Sequence, residues 1–147
     1  MMRMRVRIFC YLSLPLLLSC CSYKNLSLVT YKTKYTLNIL RGYELTKFSD
    51  YHGIKEYYAT YPDSSVVYLT AEKGGIANAD KLSKYGSNIS LKMLIADTLT
   101  LHGIDKKGFY WREQKMADII VGYYNVPEVR KREFDTYLES LTRRRGK

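Results

Sequence analysis

The side chains that could do catalytic chemistry are few, and histidine is the scarcest of them. The chain has two histidines, His52 and His102. His102 lies three residues before Asp105, and a hydrolase or transferase site would form there if these groups and neighbouring carboxylates converged in a pocket. Neither histidine belongs to a two-ligand metal motif, so the sequence predicts no metal site and no cofactor. No serine stands in a Gly-x-Ser-x-Gly context, so nothing indicates a nucleophile of that type.

Tyrosine is the abundant side chain with binding potential, since the chain has 15 copies of it. The candidate binding surface consists of Tyr57, Tyr58, Tyr61 and Tyr68, whose flat rings and hydroxyl groups can stack on sugars or anchor a protein partner. Tyr57 and Tyr58 are adjacent, so on a strand they must point to opposite faces. The alternative is that these tyrosines fill the core, because tyrosine favours strands.

The N-terminus has the layout of an export signal. Arg3, Arg5 and Arg7 form a cationic start, and a mostly apolar run follows over residues 8–18. The run is interrupted by Pro15 and is shorter than the ~20 apolar residues that a membrane-spanning helix requires. The sequence therefore predicts a cleaved signal peptide at residues 1–19 rather than a permanent transmembrane helix.

The apolar run ends in Leu17-Leu18-Ser19-Cys20, which resembles the lipobox of bacterial lipoproteins. The resemblance implies that Cys20 receives a thioether-linked diacylglycerol, that a signal peptidase cuts after Ser19, and that the new amino group is acylated, commonly by palmitate. It places the protein in the bacterial cell envelope, facing the periplasm or the cell surface. Because Cys21 rather than aspartate follows Cys20, the resemblance favours the outer membrane over the inner. The alternative is a short core-forming N-terminal helix with an incidental cysteine pair.

Charge and cysteine content limit the partners and the chemistry of the mature chain. Cleavage after Ser19 would remove three arginines and no acid, so the formal net charge would fall from +10 to +7. That charge suits anionic lipid or an envelope polymer, and export makes nucleic acid an unexpected partner. The expected partners are membrane lipid through acylated Cys20 and an envelope protein or glycan. No cysteine follows Cys21, which excludes an internal disulfide and a cysteine protease.

The body of the chain reads mainly as strands. Residues 20–33 show no helical period and are interpreted as the acylated N-terminus and a tether, and residues 34–142 as one domain. Two hairpins are predicted in its first half. Alternating apolar residues indicate a strand at residues 35–39, followed by a turn at Arg41-Gly42 and a strand at residues 43–48. Pro62-Asp63 indicates the turn between strands at residues 54–61 and 66–70. Residues 72–86 read as a loop with one helical turn. Three further strands are predicted at residues 98–101, 109–114 and 119–124, the last two as neighbours at the centre of the sheet.

A helix is predicted after Pro127, which suits the first turn of a helix. Phe134, Tyr137, Leu138 and Leu141 recur at helical spacing and form its apolar face. The predicted fold class is therefore α+β: an antiparallel β-sheet with a C-terminal amphipathic helix packed on one face.

We expect this helix to cover Trp111, Ile120 and Tyr123 and to leave residues 143–147 as a mobile basic tail. The order of Phe109-Tyr110-Trp111, then Gly122-Tyr123, then a closing helix is similar to the PsbP/Mog1-type fold. This resemblance assigns no site residue.

Taken together, the sequence predicts a membrane-anchored envelope lipoprotein that acts as a non-catalytic binding or structural module. The alternative is a small envelope hydrolase or transferase with its site near His102 and Asp105.

Overall fold

A computed structural model describes residues 22–30, 33–49, 55–71 and 97–145. Within these ranges the chain forms strands and one helix, which is α1 (Glu128–Glu139). The strands are β1 (Tyr23–Val29), β2 (Thr33–Leu40), β3 (Glu44–Ser49), β4 (Lys55–Thr60), β5 (Val66–Thr70), β6 (Thr98–Ile104), β7 (Tyr110–Met116), β8 (Ile119–Val126) and β9 (Thr142–Arg145). The described chain is thus mostly antiparallel β-sheet with one C-terminal helix, which confirms the α+β class in this broad form.

Several predicted features lie outside the described residues. They are the signal peptide with Cys20, His52, the loop over residues 72–86 and the last two residues of the predicted tail. Across the ranges that are described, no helix combines the length and the apolar character needed to cross a membrane.

A small sheet with the order β1-β2-β9 contains both ends of the described chain. β1 corrects the predicted tether, because residues 23–29 pair with β2 along their whole length, from Tyr23 opposite Leu40 to Val29 opposite Lys34. Leu26 and Leu28 alternate with polar residues and are buried in the core. Two apolar side chains on one face are enough to hold this short strand once β2 supplies its backbone hydrogen bonds.

β9 corrects the prediction of a mobile basic tail. Residues 142–145 pair with β2, with Thr142 opposite Thr36 and Arg145 opposite Thr33. Ser140 helps to direct the chain there, since its hydroxyl oxygen accepts a hydrogen bond from the backbone N–H of Asn38 at 2.9 Å. The arginine side chains stay exposed while the backbone is bound, so side-chain charge gave no sign of this strand.

The predicted first hairpin is wrong, because β2 and β3 belong to different sheets. The chain turns between them at Gly42, whose φ of 96° lies in the region that favours glycine. The turn at Arg41-Gly42 is therefore present as predicted, but it connects strands of two different sheets and not the two strands of a hairpin.

A large sheet has the order β3-β4-β5-β8-β7-β6. It contains the second predicted hairpin, β4 with β5, and the predicted antiparallel pair of β7 with β8. Both predictions are confirmed. β8 lies at the centre beside β5, whereas β7 is one strand from the edge, so only β8 is central as expected.

The main core is shared by the two sheets and α1. It combines Leu37 of the small sheet and Val67 of the large sheet with Phe134 of the helix, all at 0% exposure. Tyr35 links the sheets further, because its hydroxyl donates a hydrogen bond to Asp118 in the β7–β8 turn. Burial, together with this bond, raises the pKa of Tyr35 to about 12, so the phenol stays a proton donor at physiological pH.

The opposite face of the large sheet carries a second cluster, formed by Tyr68, Leu101, Trp111 and Ile120. This corrects the expectation that Trp111 and Ile120 lie under the helix. Of the three residues expected there, only Tyr123 belongs to the main core with Phe134. Neighbouring strand positions face opposite sides, and Tyr123 is an odd number of positions from Ile120 on β8.

Candidate functional site

A cleft of about 690 Å³ lies between α1 and the outer strands of the large sheet. Its volume is within the range typical of small-ligand sites. The lining side chains with binding chemistry are His102, Tyr110, Arg112, Tyr123, Lys131 and Asp135.

Strand register directs these side chains to one place. His102 of β6 is opposite Arg112 of β7, and Arg112 is opposite Tyr123 of β8, so the three side chains leave the same face of the sheet. The register shifts beside Arg112, because β8 has one residue more than β7 between the neighbouring pairs. Asn125 is one of the β8 residues between these pairs, and its φ of 56° lies in the left-handed region. Such irregularities commonly redirect side chains at the rim of a site.

Asp135 of α1 organises the polar groups of the cleft. Its carboxylate accepts hydrogen bonds from Arg112 Nη1 at 3.0 Å, Lys131 Nζ at 2.6 Å and Tyr123 Oη at 2.9 Å. Burial alone would raise the pKa of Asp135, but the bonds from Lys131, Arg112 and Tyr123 outweigh it and hold the pKa below its usual range. Asp135 is thus an anion that fixes two cations and a phenol.

The cleft has a positive balance beside an aromatic ring. Among the described residues that line the cleft, Arg112 and Lys131 carry two positive charges against the single negative charge of Asp135. The Lys131 ammonium lies 5.8 Å from the centre of the Tyr110 ring. The Lys131 side chain is 44% exposed and is therefore accessible to a ligand that enters the cleft. The arrangement fits an anionic group attached to a flat or ring-shaped body.

The structure separates the predicted pair His102 and Asp105. His102 lines the cleft and is exposed. Asp105 belongs to the β6–β7 turn, where its carboxylate accepts hydrogen bonds from the backbone N–H groups of Lys107 at 2.8 Å and Phe109 at 2.9 Å. This carboxylate therefore serves the turn, and the acid that shares the cleft with His102 is Asp135.

The four candidate tyrosines do not form one exposed surface, which corrects that prediction. Tyr61 is 5% exposed and its hydroxyl donates to the backbone oxygen of Leu40, whereas Tyr68 is 1% exposed in the second cluster. Tyr57 and Tyr58 do lie on opposite faces, one against each cluster. The core-filling alternative therefore describes Tyr61 and Tyr68.

A second polar cluster is structural. Arg130 of α1 makes ion pairs with Asp63 at 2.7 Å and Glu133 at 2.6 Å. Its guanidinium also lies 4.7 Å from the centre of the Tyr61 ring. These contacts fasten the helix to the β4–β5 turn.

Among the described residues, no group of three His, Cys, Asp or Glu side chains is placed to hold a metal ion. Comparison with protein-family models, with curated proteins and with solved structures found no match to this chain.

Proposed function

We propose that the protein is a bacterial envelope lipoprotein, anchored through acylated Cys20, whose domain is a non-catalytic module that binds an acidic glycan. The anchor is supported by the cationic start, the apolar run and the lipobox-like Leu17-Leu18-Ser19-Cys20. More than one acyl chain gives stable attachment, since a single chain binds a membrane only marginally. An outer-membrane location and a PsbP/Mog1-type domain belong to the same proposal. In it, α1 is the amphipathic helix that closes one face of the large sheet.

The observation that carries the binding function is the cleft in which Asp135 holds Arg112 and Lys131 beside Tyr110. A guanidinium forms paired hydrogen bonds with a carboxylate or a phosphate, and an aromatic ring packs against the apolar face of a sugar. An acidic sugar presents both features. Its carboxylate would share Arg112 and Lys131 with Asp135, and its ring would lie against Tyr110.

Binding should require the acid of the sugar and the two cations of the cleft. We expect the mature acylated protein in detergent to bind N-acetylmuramic acid more tightly than N-acetylglucosamine, which has the same ring without the lactyl carboxylate. Arg112→Gln and Lys131→Gln should each weaken binding of N-acetylmuramic acid by roughly tenfold or more, because a hydrogen bond to a charged group contributes about 1.5–3 kcal/mol. Isothermal titration calorimetry measures both effects.

Arg132→Gln is the matched control, since Arg132 is exposed on the same helix and the substitution removes the same charge. It should leave the affinity within about twofold, as expected for a charge that makes no direct contact. Equal binding of the two sugars, or an equal loss in Arg132→Gln, would show that the cleft does not recognise an acidic sugar.

The anchor has its own test. Cells grown with labelled palmitate should incorporate label into the wild-type protein and none into Cys20→Ala, because the thioether requires the Cys20 thiol. Cys21→Ala is the control and should remain labelled. Labelling of Cys20→Ala at the wild-type level would remove the anchor from the proposal.

The alternative of a small hydrolase or transferase has less support. Its acid, Asp105, is bound to the backbone of its own turn, and Asp135 holds two cations with a lowered pKa. A carboxylate in such a setting is a poor proton acceptor, because its charged form is already stabilised.

A further inference from the structure

Ser22, the first residue that the structure describes, is close in sequence to the proposed lipid anchor. The backbone oxygen of Ser22 accepts a hydrogen bond from the backbone N–H of Arg41 at 3.1 Å, so Ser22 is fixed against the end of β2. Ser22 is two residues beyond Cys20, and an extended chain spans at most about 3.6 Å per residue. An acylated Cys20 would therefore hold this end of the small sheet at the lipid headgroups.

Two cations and two tyrosines are found at this end. Lys24, near the start of β1, is opposite Ile39 near the end of β2. This pairing places Lys24 beside Arg41, which directly follows β2. Together with Gly42 and Tyr43 they line a cleft of about 310 Å³. Tyr23, the first residue of β1, is 51% exposed.

The shape of this cleft is fixed by the backbone and by the core. Gly42 turns the chain so that Tyr43 returns beside Arg41. The Tyr43 ring packs edge-on against Tyr61, with 5.9 Å between ring centres. Tyr61 is held in turn by its hydrogen bond to the Leu40 backbone oxygen. The wall of the cleft is thus held by packing and hydrogen bonding, whereas the two cationic side chains are exposed.

Among the described residues that line the cleft, two are basic and none is acidic. In the described part of the chain, the ion pairs belong to Arg112, Arg130 and Lys131 and do not involve Lys24 or Arg41. The nearest acid in sequence is Glu44, which pairs with Thr60 on β4 in the other sheet.

We propose that Lys24 and Arg41 bind the phosphate of an anionic lipid headgroup in the membrane to which the protein is anchored. This inference rests on the proposed acylation of Cys20. Basic side chains close to a membrane are attracted by anionic lipid, and tyrosine favours the interface between headgroups and acyl chains. The headgroup contact would complement the acyl chains and would fix which end of the domain faces the bilayer.

Native mass spectrometry of the mature protein, released from nanodiscs with equal amounts of phosphatidylglycerol and phosphatidylcholine, tests the proposal. We expect the protein to retain phosphatidylglycerol several-fold more often than phosphatidylcholine. The double variant Lys24→Gln/Arg41→Gln should retain the two lipids equally. Lys106→Gln/Lys107→Gln is the matched control, because it removes two exposed charges from the β6–β7 turn, and it should keep the wild-type preference.

Equal retention of the two lipids by the wild type, or the same loss in the control, would overturn the proposal. Inorganic phosphate added before release distinguishes a site for lipid headgroups from a site for free phosphate. Preference for phosphatidylglycerol that persists supports a lipid site, and preference abolished by free phosphate contradicts it. The protein mass in the same spectrum reports acylation. An acylated protein without lipid preference refutes this inference alone, whereas a protein without acyl mass refutes the proposed anchor.

Discussion

Phe134→Ala should lower the free energy of unfolding by about 3–5 kcal/mol, the cost of removing a fully buried phenylalanine ring. Phe134 is 0% exposed, and its ring centre lies 5.6 Å from those of Tyr61 and Tyr123 and 5.1 Å from that of Tyr137. Those rings are tied by hydrogen bonds to Leu40, Asp135 and Glu133, so they cannot easily close the cavity. A domain is stable by roughly 5–15 kcal/mol in total, so the loss is severe.

Denaturant unfolding followed by circular dichroism measures this change. Val129→Ala is the control on the same helix, because Val129 is 91% exposed. It should change stability by no more than about 0.5 kcal/mol, as is usual at the surface. Similar values for the two variants would mean that the helix does not close the core through Phe134.

The elements that the sequence predicted are those whose signals are local. Alternating apolar residues predicted β2, Pro62-Asp63 predicted the turn between β4 and β5, and the spacing of Phe134 and Leu138 predicted α1. Each of these patterns lies within about a dozen residues. Their physical cause, which is one face buried or a fixed backbone angle, can therefore be read without knowing the rest of the fold.

The elements that it missed are defined by distant partners. β9 exists because residues 142–145 meet the free edge of β2 more than a hundred residues earlier in the chain, and three arginines carry no periodic pattern. β1 was interpreted as part of a tether because residues 20–33 show no helical period, although Leu26 and Leu28 are enough to hold a strand once a core is present. The pairing of β2 with β3 was predicted wrongly for the same reason, since a turn residue such as Gly42 does not determine which strands pair.

The candidate site was only partly visible for a related reason. His102 was singled out from the sequence, but neither Asp135 nor Arg112 was. The contact between Arg112 and Asp135 joins β7 to α1 across 23 positions, and no local pattern links residues so far apart in sequence. The one local signal was the spacing of Lys131 and Asp135, four residues apart on a helix, which is the spacing of an ion pair.

Gly122→Ala should destabilise the domain by about 3 kcal/mol or more, at the upper end of the usual cost of overpacking. Gly122 lies on the central strand β8, opposite Tyr68 on one side and Glu113 on the other. A Cβ at this position would overlap the Tyr68 hydroxyl and would lie 2.6 Å from the backbone oxygen of Arg112. Tyr68 is 1% exposed and cannot swing away, and a backbone oxygen cannot move without breaking the sheet.

Gly103→Ala is the matched control for this variant, because it also adds a methyl group to a strand of the large sheet. The atoms nearest to its Cβ would be those of the Trp111 ring, at 3.0 Å, and a side chain can shift where a backbone cannot. Thermal unfolding should therefore give a clearly lower midpoint for Gly122→Ala than for Gly103→Ala. A midpoint for Gly122→Ala equal to that of the wild type would show that the Tyr68 phenol does not lie over Gly122.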